Sequence, residues 1–236
     1  MKQIFEEPNC TSCNKSCKTI FSKLTKEQID YLDEHKSYFK RKRSTILYEE
    51  GNKLTGVYCI KSGIVKIYKT GVDGKEQIIK FAKEYDIFGF RSVINGELAC
   101  HGAKVINDAE LCHINKEVFN NILKCNNDFA LDMLKLSCSE LGEANNYITD
   151  IAQKPVKERV AEVIIRLKND FGTDENGFIN LNITREEIAN IVGAVTESII
   201  RLLSEFKSKN LIELHGRKIK IVDEDGFKKH VFMLNK

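Results

Sequence analysis

Three cysteines near the start of the chain, Cys10, Cys13 and Cys17, are spaced three and four residues apart. Thiolates so spaced can converge on one metal centre, and sulfur donors suit iron–sulfur clusters and zinc. Lys15 and Lys18 lie among them and favour thiolate over thiol. A thiol–disulfide switch and uncoordinated surface thiols are the competing readings. A second group lies near the other end. Glu197 and Arg201 stand four residues apart, which puts them on one face of a helix. A guanidinium can donate two hydrogen bonds to a guanine edge, and a carboxylate can accept one from cytosine N4. Thr196, Ser198 and Ile200 lie beside them. Ile200 suits a thymine methyl, with partial burial under a neighbouring hairpin as its alternative; for Glu197 and Arg201 the alternative is a surface ion pair.

The elements that must position this second group are legible nearby. Thr184 with Glu187 three residues on predicts a capping box opening a short helix, with Ile188, Ala189 and Val192 inward. Gly193 supplies a tight turn, Thr196 is expected to cap a second helix, and Ile199, Leu202, Leu203 and Phe206 form its inner face. Two short helices joined by a glycine turn make a helix-turn-helix. The stretch LIELHGRKIKIV then predicts a hairpin turning at His215-Gly216-Arg217-Lys218. Lys207, Lys209 and Arg217 are the phosphate candidates, anchoring without reading sequence.

The net charge of +3 over 236 residues means that nucleic-acid affinity must come from local patches. The start, MKQIFEE, lacks the apolar core of a secretory signal, and no apolar run nears the roughly 18 residues of a membrane span. A cytoplasmic protein is expected, with its eight cysteines as thiols, metal ligands or redox centres. No nucleophile–base pair, phosphate loop or zinc-protease motif points to an enzyme. Thr25 and Gln28 predict a capping box for a helix over 25–36. From Ser44 to about Ile114 short β-rich runs (TILYEE, GVYCIKSG, IVKIYKT, EQIIKFA, IFGF) are punctuated by glycines, with Asp73-Gly74 as a hairpin turn, which suggests a β-roll or barrel. Helices are expected over 116–124, over 128–151 as one long element, and over 155–170 beginning at Pro155. The long helix must bury its apolar stripe, against a second copy or its own domain; Glu140 and Glu143 on it would repel across a two-fold axis.

Two blocks, TREEIANIVGAVTESIIRLL and EEGNKLTGVYCIKSGIVKIYKTGVDGKEQIIKF, resemble the CRP/FNR family of bacterial transcription regulators. The resemblance implies an α+β chain: a leader over 1–22, a cyclic-nucleotide-binding-type β-roll over 23–125, a dimerisation helix over 126–154 and a winged helix-turn-helix over 155–236. It implies a homodimer reading a palindromic DNA site, with RNA polymerase as a partner and Glu197 and Arg201 on the core base pairs. Ile200 departs from the serine common in the FNR branch, so the usual FNR-type box is not assumed for the outer bases. Cyclic-nucleotide binders of the family use a Glu for the ribose and an Arg-Ser pair for the phosphate. Here Phe90 and His101-Gly102 occupy those places, with Arg91 off register, which speaks against a cyclic nucleotide. The FNR branch instead implies a 4Fe-4S cluster, sensing oxygen or nitric oxide, on three leader cysteines and one from the roll. Cys112 in NDAELCHINKEVF matches the fourth ligand, with Cys100 in reserve. Zinc or a thiol switch remains the alternative, and haem held by His or Cys a remoter one. Cys59, Cys125 and Cys138 are expected to be core or surface residues, and His101 and His113 structural.

Overall fold

A computed structural model describes Cys10 and residues 19–232 of the chain; Cys13 and Cys17 lie outside the described residues. The chain divides into two compact units. The first runs to Gly74 and resumes from Ile79 to Gly142; the second takes Lys75–Ile78 and everything from Glu143 on.

The first unit opens with a 3-10 turn, Ile20–Lys23, and helix α1, Lys26–His35. Thr25 accepts from the Gln28 amide at 3.3 Å and Gln28 returns the bond to the Thr25 amide at 3.1 Å, the predicted capping box. The sheet that follows is built around two long strands. Strand β3, Gly56–Thr70, takes in both GVYCIKSG and IVKIYKT, which the sequence divides in two. Strand β6, Gly102–Asn115, pairs antiparallel with β3 along its length. The other edge of β6 carries β2, Ile46–Tyr48, and β1, Lys36–Arg41. Strand β4, Glu76–Ala82, lies beyond β3, and β5, Ile87–Phe88, also pairs β3.

Gly63 explains why β3 stays one strand. It has φ +91° amid three shifts of register against β6, so it bends the strand without ending it. A Cβ there would meet the Asp108 carbonyl oxygen at 2.4 Å and Ala109 Cα at 2.6 Å. IFGF begins as the expected strand, β5, but its last residue opens helix α2, Phe90–Asn95, which lies between Gly89 and Gly96. Phe90 is buried in the core of the roll.

Helix α3, Lys116–Cys125, closes the roll. Asn126 joins it to helix α4, Asn127–Gln153. Its amide donates to the Lys23 carbonyl at 3.1 Å and to Gln28 Oε1 at 2.8 Å, while its oxygen accepts from the Phe129 amide at 2.8 Å. Phe129 and Met133 bury one face of α4, Phe129 stacking on Phe21 at 5.6 Å between ring centroids. Leu131, Leu134, Leu141, Ile148 and Ile151 are exposed. Glu140 is ion-paired with Lys80.

In the second unit Pro155 precedes helix α5, Val156–Phe171, whose Val160, Val163, Ile164 and Leu167 are buried. Helices α6, Arg185–Val192, and α7, Thr196–Ser208, follow, then the hairpin β7, Ile212–His215, and β8, Lys218–Ile221. A last helix, α8, Glu224–Phe232, packs on α5 with Phe227 buried; no local signal predicts it. No described helix is long and apolar enough to cross a membrane.

Replacing Gly63 by alanine would force a Cβ against backbone at a left-handed φ. A loss of roughly 1–3 kcal/mol is expected, measured as a lower urea midpoint at unchanged slope.

Candidate DNA-reading surface and cysteine-lined cavity

The helix pair is assembled as its local chemistry requires. The Glu187 amide donates to Thr184 Oγ1 at 3.0 Å, and the Thr184 amide to Glu187 Oε2 at 2.8 Å, so both orphan donors at the start of α6 are satisfied. Gly193 ends α6 with φ +69°, and its amide donates to the Ala189 carbonyl at 2.9 Å. The cap of α7 departs from expectation. Val195, not Thr196, is the extended residue before the helix, and its carbonyl accepts from Ser198 and Ile199 at 3.1 and 3.4 Å. Thr196 is therefore the first helical residue, and its hydroxyl has no capping bond.

Ile199, Leu202, Leu203 and Phe206 turn inward as their spacing predicts. Glu197 and Arg201 are exposed, and Thr196 and Ser198 are partly so. Ile200 is 50% exposed, so half of its surface stays open to a partner. Exposed Val195 lies just upstream and extends the apolar character of this end of α7.

The hairpin is fixed beside it. His215 pairs with Lys218, leaving Gly216 and Arg217 as the turn. Arg185 Nη2 donates to the Gly216 carbonyl at 3.0 Å, tying the start of α6 to the hairpin tip. Of the expected phosphate contacts, Lys207 and Arg217 are exposed. Lys209 is instead engaged, donating to Glu205 Oε1 at 3.1 Å and lying 2.9 Å from His230 Nε2. Lys157 reaches the same carboxylate at 2.9 Å, so Glu205 joins α7 to α5 and α8. The hydrogen bonds of Lys157, then Lys209, hold the Glu205 carboxyl down at about 2.

In the first unit, strand register decides the second site. Cys112 on β6 stands opposite Tyr38 on β1 and Cys59 on β3. Residues directly opposite each other in a ladder project to the same face. Cys59 and Cys112 accordingly line one cavity with Cys10, among Leu32, Ile60 and Ile114. Cys10 is held there by α1 and β1. Its amide donates to Asp33 Oδ1 at 2.7 Å, and Lys36 Nζ donates to its sulfur at 3.4 Å.

The Lys36 side chain is only 2% exposed and is also ion-paired with Asp33. Burial opposes its charge, but the hydrogen bond it donates to Asp33 and the neighbouring groups outweigh that and hold the ammonium above its ordinary value. Burial likewise pushes the Cys10 thiol up to about 12, against the pull of Lys36. Unligated Cys10 is therefore a thiol, and a metal would have to displace its proton.

Sequence reasoning missed both Lys36 and Cys59 at this cavity. Neither has a local signal, because strand register brings them in. Cys100 lies apart, its amide donating to Ser92 Oγ at 3.3 Å. Among the described residues no three His, Cys, Asp or Glu side chains form a metal-holding group; Cys10 and Cys112 are the two expected ligands that are described, and both line the cavity. Phe90, at the place of the ribose-binding glutamate, is 3% exposed and belongs to the core. His101 lies 3.3 Å from the Tyr48 hydroxyl, and burial lowers its pKa, favouring the neutral ring. Arg91 is exposed on α2.

Residues 39–126 match the cyclic nucleotide-binding domain, and residues 158–230 the Crp-like helix-turn-helix domain. The Anaerobic regulatory protein of Haemophilus influenzae is 27% identical over 226 residues, covering 92% of this chain and 86% of the relative. The CRP-like cAMP-activated global transcriptional regulator of Mycobacterium tuberculosis is also 27% identical, over 185 residues, covering 78% and 83%. A solved structure from Eubacterium rectale, described as of the crp/fnr family, shares the fold at a TM-score of 0.74 and 23% identity, covering 89% of this chain and 96% of its own.

The Glu205 anchor has a pH signature. Its folded pKa lies below the ordinary 4.5, so the stability it contributes is present above that value and lost as pH falls toward about 2. Glu205→Gln is expected to unfold with a shallower acid dependence across that window, followed by circular dichroism; an unchanged acid limb would remove Glu205 as the anchor.

Proposed function

As a member of the CRP/FNR family this chain is a DNA-binding transcription regulator and not an enzyme, and we propose that it senses oxygen, nitric oxide or redox state through a 4Fe-4S cluster held by Cys10, Cys13, Cys17 and Cys112. Overall identity does not choose the signal, since the anaerobic and cAMP-activated relatives match equally at 27%. The cavity carries the choice. Cys10 and Cys112, a hundred residues apart in sequence, line one apolar space beside the buried ammonium of Lys36. Soft thiolates suit iron–sulfur chemistry, and a fixed cation compensates the negative charge of thiolate ligands. The place of a nucleotide's ribose and phosphate partners is taken instead by buried Phe90 and by His101, whose burial favours the neutral ring.

A bound cluster supplies a group that oxygen and nitric oxide attack. The rest of the switch belongs to the chain. Cys10 joins the leader to the roll through Asp33 and Lys36. With the cysteines unligated, Cys10 keeps these contacts but the leader loses metal ligation that contributes several kcal/mol. That difference is large enough to shift a two-state equilibrium. Zinc on the same thiolates is the second reading, because the same soft donors serve it.

The regulator acts as a homodimer on a palindromic site, with RNA polymerase as the partner that the family implies. Exposed residues on α4 supply the seam. Leu131, Leu134, Cys138, Leu141, Asn145 and Ile148 recur at alternating steps of three and four, and all are exposed in the single chain, which is the spacing of two helices packed side by side. In the DNA complex Arg201 and Glu197 read base edges, Ile200 meets a thymine methyl, Thr196 and Ser198 flank them, and Lys207 and Arg217 hold phosphates.

Arg201→Ala is expected to cost about 1–3 kcal/mol on the specific site and to relax discrimination at one base pair, read by titrating labelled duplexes at fixed salt. Equal affinity for specific and scrambled duplexes before and after the change would remove Arg201 from the reading surface. Anaerobically reconstituted protein is expected to be coloured and to hold iron and acid-labile sulfide, both lost in Cys112→Ser. Iron-free, zinc-bearing protein would sink the cluster in favour of zinc.

A further inference from the structure

Cys59 has no part in the reading above, yet it stands directly across the β3–β6 ladder from Cys112. Both are half-buried, both remain thiols, and both line the cavity that holds Cys10. The pairing lies in a regular part of the ladder: Val57 to Ile60 run opposite Ile114 to Leu111 before the first shift of register. Register partners in an antiparallel pair stand roughly 4.5–5.5 Å apart at Cα, inside the roughly 4.4–6.8 Å that a disulfide spans. Two thiols on one face, at bridging distance and partly open to solvent, make a dithiol that a small oxidant can close.

We propose that Cys59 is the resolving thiol of Cys112, forming a cross-strand disulfide with it when Cys112 holds no metal and hydrogen peroxide is present. The Cys112 thiolate attacks one peroxide oxygen, the O–O bond breaks and hydroxide leaves, giving a sulfenic acid. The Cys59 thiolate attacks that sulfur, the S–O bond breaks and a second hydroxide leaves. The two protons shed by the thiols turn both hydroxides into water, so two electrons pass from sulfur to peroxide. The disulfide protects Cys112, because a sulfenic acid left unresolved goes on to sulfinic acid, which thiols do not reduce. The ladder alone fixes this pair, whatever the leader does, so the inference does not rest on the cluster.

The test uses the full chain, stripped of metal by a chelator without oxygen, then given one equivalent of hydrogen peroxide, alkylated and digested without reductant. A linked peptide pair carrying Cys59 and Cys112 is expected, with two of the eight thiols lost and both regained in dithiothreitol. In Cys59→Ser given at least two equivalents, the first forming the sulfenic acid and the second oxidising it further, Cys112 is expected as sulfinic acid that dithiothreitol does not recover. Untreated Cys59→Ser is expected to take up as much iron as the unaltered protein. The inference is overturned if Cys59 is fully alkylated while Cys112 is oxidised or linked to a leader cysteine. It is equally overturned if untreated Cys59→Ser loses iron, which would make Cys59 a ligand. If neither protein takes up iron but the cross-link forms, the cluster fails and the resolving pair stands.

Discussion

The antiparallel pairing of β3 with β6 is the interaction on which the first unit depends. Strand β6 is paired on both edges, by β3 on one side and by β1 and β2 on the other. That arrangement fixes the direction of every side chain along it, since a slip of one residue would turn the whole row to the opposite face. Cys112 faces the cavity because Val105, Ala109 and Leu111 occupy the core. Lys36 begins β1 opposite Ile114, which brings a cation to the same cavity. The cost of burying that charge is offset by Asp33. The ladder alone assembles this cavity surface around Cys59 and Cys112.

The reading surface is rigid for a different reason. Its two helices carry their own start signals, a capping box on α6 and a left-handed glycine before α7. Around them, side-chain ties reach from Arg185 to the hairpin tip, from Lys218 to Asp174 at 2.7 Å, and from Glu205 to α5 and α8. In the proposed complex a guanidinium must come within hydrogen-bond reach of a base edge, and these ties hold the frame from which the exposed end of α7 projects.

What was legible in the sequence was local. Capping boxes at Thr25 and Thr184, the turn at Gly193 and the inner face from Ile199 to Phe206 depend on neighbours within a few residues, and the structure has them as expected. Assigning the cap of α7 to Thr196 failed by one position, because the Val195 carbonyl opens that helix. Three elements left no clear local trace: β1 within a charged run, α2 inside a stretch that begins as a strand, and α8 after the hairpin. At the cavity, the resemblance pointed to Cys10 and Cys112, but Cys59 and Lys36 arrive there only through pairings made far along the chain. Periodicity says that a strand exists and is silent on which residue lies opposite.

Asn145 gives the exposed seam of α4 a property that leucines alone would lack. An amide enclosed between two apolar helices is tolerated when it meets its own counterpart, and becomes costly when sliding sets it against hydrocarbon. Two copies would therefore favour parallel alignment in phase over staggered or inverted ones. In the proposed dimer an in-phase pair would present its two α7 helices as equivalents, so the symmetry of the proposed duplex site would trace back to a carboxamide on α4.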